Sequence, residues 1–138
     1  MVVAPLRSLG MTVAFGQRAA AALTRVNEVL TTEPAVADPS RPKHLPQPGE
    51  HAGPLGAVRF DAVRFGYEPT QPVLEAFDLQ IAPGTSVAIV GATGSGKSTI
   101  ARLLTRFYDV QEGSVSIDRV DVRDLTLTDL RHAVGIVF

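Results

Sequence analysis

The chain has 138 residues, enough for one ordinary domain with a buried core, and 13 basic against 14 acidic residues leave a net charge of -1. No overall field therefore draws it to nucleic acid or anionic lipid, and any partner must be specified by a local site. The lack of cysteine excludes disulfides and thiolate metal sites; no apolar run approaches the roughly 18 residues of a spanning helix, and the start lacks the regions of a signal peptide.

Residues 4 to about 32 place Leu6, Leu9 and Val13, then Leu23, Val26 and Leu30, at intervals of threes and fours, which predicts one long helix after Pro5. Its only charges are Arg7, Arg18, Arg25 and Glu28. A helix this apolar needs neighbours on more than one side. It either packs on its own domain or, the reading preferred here, joins a bundle whose other members are not in this chain. Residues 34–54 hold six of the ten prolines, from Pro34 to Pro54. Proline removes donors and stiffens the chain toward an extended form, so this stretch reads as a linker with a domain boundary near residue 55. His44 and His51 lie in it without acidic or cysteine neighbours at ligand spacing, and no metal is assigned to them.

From Gly56 the pattern turns to β. Val58 and Phe60 alternate with polar residues, and Val63, Phe65 and Tyr67 do so after a shift of one residue that suggests a bulge. A loop from Pro69 to Pro72 precedes a second alternation at Phe77, Leu79 and Ile81, ended by a Pro83-Gly84 turn. Ser86-Val87-Ala88-Ile89-Val90 is rich in β-branched residues, as a buried parallel strand is. Further on, Ile100, Leu103, Leu104 and Phe107 fall at i, i+3, i+4 and i+7 and predict one buried helix face. A Glu112-Gly113 turn then leads into a strand with Val115 and Ile117 on one side, and residues 118–121 turn again. Thr128 is expected to cap a short helix through Arg131, and Val134 to Phe138 to begin another apolar strand.

Between the parallel strand and the helix lies Gly91-Ala92-Thr93-Gly94-Ser95-Gly96-Lys97-Ser98-Thr99, which spells G-x-x-x-x-G-K-[ST]. A backbone that wraps a phosphate with its N–H groups inward needs Gly91, Gly94 and Gly96, because a Cβ would block the turn and the approach. Lys97 adds a charge that reaches β and γ phosphates, and the Ser98 hydroxyl can complete a Mg²⁺ shell. Both residues open a helix, whose N-terminal dipole reinforces the anion site. Strand, glycine loop and helix arrive in the required order. These residues alone imply a nucleoside triphosphate bound with Mg²⁺.

The order of motifs resembles the nucleotide-binding domain of ABC transporters of the exporter (multidrug and lipid) type. Val63-Arg64-Phe65-Gly66-Tyr67 is similar to the strand ending in that family's adenine-stacking aromatic, followed by Pro72-Val73-Leu74 and Phe77-Asp78-Leu79 before the phosphate loop. Leu104 to Tyr108, Gly113, Asp118, Asp121 and Leu130-Arg131 fall where the family places similar residues, and Val134 to Phe138 resembles the strand leading to its Q-loop glutamine. Pro5 to Gly10 resembles the cytoplasmic end of the last transmembrane helix. Arg119 departs from the pattern, standing where the Asp-x-x-Asp hairpin usually carries glycine, and a different turn type is expected to absorb it. The family's Q-loop, signature motif, Walker B carboxylates and switch histidine are expected beyond Phe138.

The resemblance implies ATP and Mg²⁺ as ligands, with Tyr67 on the adenine face, Thr99 at the α phosphate, Lys97 neutralising charge and Ser98 holding the metal. Val73 is a candidate for the adenine and ribose side, or else packs on its own sheet; Tyr67, likewise, is otherwise a core aromatic. Asp118 and Asp121 are read as turn aspartates that cap their own backbone, and no catalytic base is assigned. The expected fold is α/β, an incomplete P-loop NTPase core like that of ABC ATPases with an antiparallel β portion, preceded by a long N-terminal helix. The expected organisation is a helix over 1–33 continuing a transmembrane-domain helix, a linker over 34–54, and the N-terminal part of a nucleotide-binding domain over 55–138. Partners implied by the family are a transmembrane domain and a second nucleotide-binding domain, at the cytoplasmic face of the plasma membrane. Two alternatives stand beside this reading: a truncated remnant without catalytic activity, and a soluble P-loop ATPase of another class.

Overall fold

A computed structural model describes residues 3–50, 53–68 and 70–137, with side chains from residue 10 onward. The side chains of Leu6, Arg7 and Leu9, together with His51, Pro69 and Phe138, lie outside the described residues. The chain divides into two compact units, residues 1–34 and 35–138.

The first unit is α1 (Val3–Thr31), as the spacing of its apolar residues predicts. Its C-terminal turn ends where threonine hydroxyls compete for the backbone: Thr31 and Thr32 donate to the carbonyls of Asn27 and Glu28, and Pro34 follows. Phe15, Leu23 and Leu30 on this helix are all exposed, Leu30 at 78%.

The second unit is built on β1 (Val58–Phe65), the central strand of a four-stranded antiparallel sheet ordered β2-β1-β3-β4. Strand β2 (Leu74–Ile81) lies on one side, and β3 (Glu112–Ile117) with the short β4 (Val120–Asp121) on the other. The shift in alternation along β1 is a bulge: the register with both neighbours slips after Phe60 or Asp61, and Ala62 has φ +45°. The slip turns Phe60, Val63 and Phe65 all to the buried face, where Val63 is fully enclosed. Helix α2 (Lys97–Leu104) sets Ile100 and Leu103 into the same core, and a 3₁₀ turn (Val122–Asp124) and α3 (Leu127–Ala133) close it with Val122, Leu125 and Leu130. Phe77 meets Phe60 edge to face at 5.7 Å.

Four local expectations are corrected. Residues 86–90 form no strand: after the Pro83-Gly84 turn, with Gly84 at φ +70°, they run without a ladder, and Val90 is 88% exposed. A parallel strand exists only between hydrogen-bonded neighbours, and none pairs with this run among the described residues. Val134–Val137 is irregular for the same reason, with Val137 exposed. Phe107 falls past the end of α2 and is exposed, with the Arg131 guanidinium 5.0 Å from its ring centre. The cap of α3 is Thr126, whose hydroxyl accepts from the Asp129 N–H at 3.1 Å, two residues earlier than expected.

The hairpin between β3 and β4 also differs from expectation. Asp118 and Arg119 both have positive φ, +49° and +69°, the sign pattern of a type I′ turn. Arg119 thus keeps the glycine-type conformation instead of switching turn type. Asp121 caps locally, accepting from the Arg123 N–H at 2.8 Å, whereas Asp118 reaches a distant segment, its carboxylate accepting from the N–H groups of Gly56 and Ala57 at 2.9 Å. The proline-rich stretch is held to this unit. Lys43 donates its N–H to the Asp124 carbonyl and its ammonium to the Asp124 carboxylate, both at 2.7 Å, and Asp38 accepts from the Leu127 N–H at 2.7 Å.

Candidate nucleotide site

The loop from Gly91 to Gly96 owes its shape to its glycines. Gly94 and Gly96 have φ +87° and +86°, which side chains rarely adopt. A Cβ on Gly96 would in addition press on Val73 and Leu74 at 3.1 Å, and one on Gly91 would lie 2.5 Å from the Ser95 hydroxyl. The loop therefore hugs the exit of the 72–74 segment and leads straight into α2, whose first turn no side chain caps. The Thr99 N–H turns back to the Gly96 carbonyl at 3.0 Å, and among the described residues the Lys97 and Ser98 amides are left for another acceptor.

The Lys97 ammonium folds back over this loop, donating to the carbonyls of Gly91 and Ala92 at 2.8 and 2.7 Å, with the Ser95 hydroxyl at 3.4 Å. A cation is thereby stationed at the loop it is expected to serve. Ser98 is exposed, and its hydroxyl has no intramolecular partner among the described residues. Thr99 is buried, its hydroxyl 3.1 Å from that of Tyr67.

Tyr67 comes from the far end of β1, yet it stands at the loop. The residue is 46% exposed, and its ring meets Phe65 and Tyr108 edge to face at 5.1 and 5.3 Å. Strand exit is fixed by Gln111, whose side-chain amide accepts from the Gly66 N–H and donates to its carbonyl, each at 3.0 Å. At the hydroxyl, Arg102 donates at 3.0 Å. Burial pushes the Tyr67 phenol up, but the hydrogen bonds from Thr99 and Arg102 and the Arg102 charge outweigh it and hold the phenol below its ordinary value.

A cavity of about 420 Å³ joins these groups, lined by Tyr67, Val73 and Arg102 together with Thr93, Gly94, Gly96, Lys97, Ser98 and Thr99. The structure thus brings together most of the residues singled out from the sequence. Gly91, Ala92 and Ser95 do not line the cavity; they hold the Lys97 ammonium. Val73 lines the cavity, and a Cβ on Gly96 would come within 3.1 Å of its Cγ1. Sequence reasoning missed Arg102, Tyr108 and Gln111. Only Arg102 carried a signal, lying at i+3 from Thr99 and so on the same helix face. A larger hollow of about 570 Å³ lies away from this loop, between residues 44–48 and α3, where His44 Nδ1 is 3.4 Å from Asp129. Its size does not make it the nucleotide site, since it holds neither the glycine loop nor an exposed aromatic ring.

Residues 74–138 match the ABC transporter family model. Over 137 residues, 99% of this chain, it is 39% identical to the "Multidrug efflux ATP-binding/permease protein" of Mycobacterium bovis. The chain belongs to the ABC transporter family. It is also 55% identical over 82 residues to the "Iron-sulfur clusters transporter atm1, mitochondrial" of Aspergillus fumigatus, an alignment covering 59% of this chain. A solved structure of a bacterial Atm1-family ABC exporter with ATP bound superposes on 95% of the chain with a TM-score of 0.76 at 38% identity. The chain spans 11% of the length of each of those two ABC relatives and 22% of that exporter chain. The fold is accordingly an α/β, P-loop NTPase core of the kind found in ABC exporters. ABC exporters are membrane proteins whose nucleotide-binding domains act in pairs with a transmembrane domain; no helix among the described residues here is long and apolar enough to cross a membrane.

Proposed function

We propose that this chain binds MgATP in the cavity between Tyr67 and the 91–96 loop, as the nucleotide-binding part of an exporter that moves a substrate across a membrane. The observation that carries the reading is a single cavity lined by a half-exposed aromatic ring, a glycine cradle, Lys97 and an unpartnered Ser98 hydroxyl. Base and triphosphate each meet the chemistry they need there. The loop amides and the uncapped first turn of α2 hold phosphate oxygens. Lys97 exchanges its two carbonyl acceptors for β and γ phosphate oxygens, a stronger charge-assisted pair. Thr99 turns from Tyr67 to the α phosphate, Tyr67 lies on the adenine face, and Val73 covers the ribose side. Ser98 is the residue that would hold Mg²⁺, which, when bound, neutralises phosphate charge.

No residue of the chain is assigned to activate water, so hydrolysis and transport are proposed for the complete protein. In that protein residues 1–33 continue a transmembrane-domain helix, residues 34–54 link it to the nucleotide-binding domain that starts at 55, and ATP is bound at the cytoplasmic face of the plasma membrane. The exposed apolar side chains of α1 support a helix that meets a transmembrane domain, and a second nucleotide-binding domain completes the pair. A second reading, a remnant that no longer binds nucleotide, is favoured by the exposed run at Val87, Ile89 and Val90, which among the described residues has no strand paired with it. Binding of a fluorescent ATP analogue with Mg²⁺, alongside phosphate release, separates the two. Saturable binding lost in Lys97→Ala and Tyr67→Ala, without phosphate release, is expected; a folded wild type that binds nothing leaves the remnant reading.

A further inference from the structure

We propose that Arg102 is a positioning residue for base recognition, holding the Tyr67 ring through its hydroxyl while the phosphate loop is occupied; this rests on the nucleotide reading above. Tyr67 lies two residues past the end of β1 and is half exposed, so burial alone does not fix its ring. Phe65 and Tyr108 touch its edges, and two groups meet its hydroxyl: Thr99 at 3.1 Å and the Arg102 guanidinium at 3.0 Å. These two are not equivalent. Thr99 is the residue drawn to the phosphate, and a hydroxyl that turns to a phosphate oxygen leaves the phenol. Among the described residues Arg102 is then the remaining partner. It sits one turn further along α2, on the wall of the same cavity, with its carbon Cζ 6.0 Å from the Tyr67 ring centre.

The arrangement couples the two halves of the ligand through one rigid helix. The first turn of α2 meets the phosphates, and the next turn holds the platform for the base. A guanidinium suits the task because its planar fork donates to a fixed oxygen from an exposed position, where an ammonium would be drawn off into water. Arg102 therefore acts on the base and not on the phosphates, and this can be measured.

The test titrates the 138-residue chain, with Mg²⁺, against ATP and against inorganic tripolyphosphate, which has the phosphates and no base. Arg102→Ala and Tyr67→Phe are each expected to weaken ATP roughly three- to tenfold, the range of one positioning hydrogen bond. The double variant is expected to be no weaker than either alone, and tripolyphosphate affinity to stay within about twofold throughout. Circular dichroism checks that each variant is folded, which the exposed position of Arg102 favours. Equal weakening of both probes in Arg102→Ala makes Arg102 a phosphate ligand and overturns the proposal, as do an unchanged ATP affinity or additive losses in the double variant. A wild-type chain that binds neither probe overturns the nucleotide site itself, and this role falls with it.

Discussion

Arg119 holds a backbone conformation, φ +69°, that suits glycine. The left-handed region costs an L-residue about 1–2 kcal/mol, whereas glycine costs about 0.5–1 kcal/mol of extra chain entropy on folding. The first figure is the larger, so Arg119→Gly is expected to stabilise the chain by about 0.5–1 kcal/mol in urea denaturation; a lowered midpoint would show that the Arg119 side chain contributes more than its backbone costs. Asp121 supplies a pH-dependent component nearby. Burial pushes its carboxyl up, but Arg123, through side chain and backbone N–H, and the Arg106 charge hold it below its ordinary value. A carboxyl with a lowered folded value contributes stability that is complete above the ordinary carboxylate range and fades as pH falls through the folded value. The stability difference between wild type and Asp121→Asn is thus expected to be largest near neutral pH and to shrink as pH falls below the ordinary carboxylate range. A difference independent of pH would mean that the Arg123 pair does not depend on charge. At the loop, Gly96→Ala meets both a φ of +86° and side chains at 3.1 Å, and is expected to abolish nucleotide binding and to lower the denaturation midpoint.

At the scale of elements, the bulge in β1 and the run at 86–90 make a useful contrast. Both are apolar, yet Val63 is fully buried and Val90 is 88% exposed. Val63→Ala is expected to cost about 2 kcal/mol, while Val90→Thr is expected to stay within about 0.5 kcal/mol, both read from urea midpoints. A large loss from Val90→Thr would place that run in a packed environment. The bulge was legible because a shift in two-residue alternation is a local signal that the same strand answers. The 86–90 strand was not realised because its pattern describes a burial that needs neighbouring strands, and none pairs with it among the described residues. Phe107 was misread for a related reason. The i+7 position has meaning only while the helix lasts, and α2 stops at Leu104. The cap of α3 was misplaced because Thr126 and Thr128 offer the same hydroxyl, and only the backbone conformation chooses between them.

Over the whole molecule, apolar surface is left uncovered on α1 at Phe15 and Leu23, and in the second unit at Val87, Ile89 and Val90. Such surface favours association, so the purified chain is expected to show a scattering mass that rises with concentration. A monodisperse monomer at high concentration would mean that these residues find cover within the chain. Much of the candidate site's geometry was legible in the sequence because glycine spacing dictates backbone shape. What the sequence hid was the part built across distance: Arg102 meets Tyr67 across 35 residues and Gln111 clamps Gly66 across 45, and neither pair leaves a mark in local spacing. The central claim is that Tyr67 and the phosphate loop form one site. It is tested most directly by amide NMR of the labelled chain titrated with MgATP. Shifts at Gly94, Gly96, Lys97 to Thr99 and Tyr67 that saturate together with a single dissociation constant are the expected result; shifts confined to the loop while Tyr67 stays unmoved would contradict it.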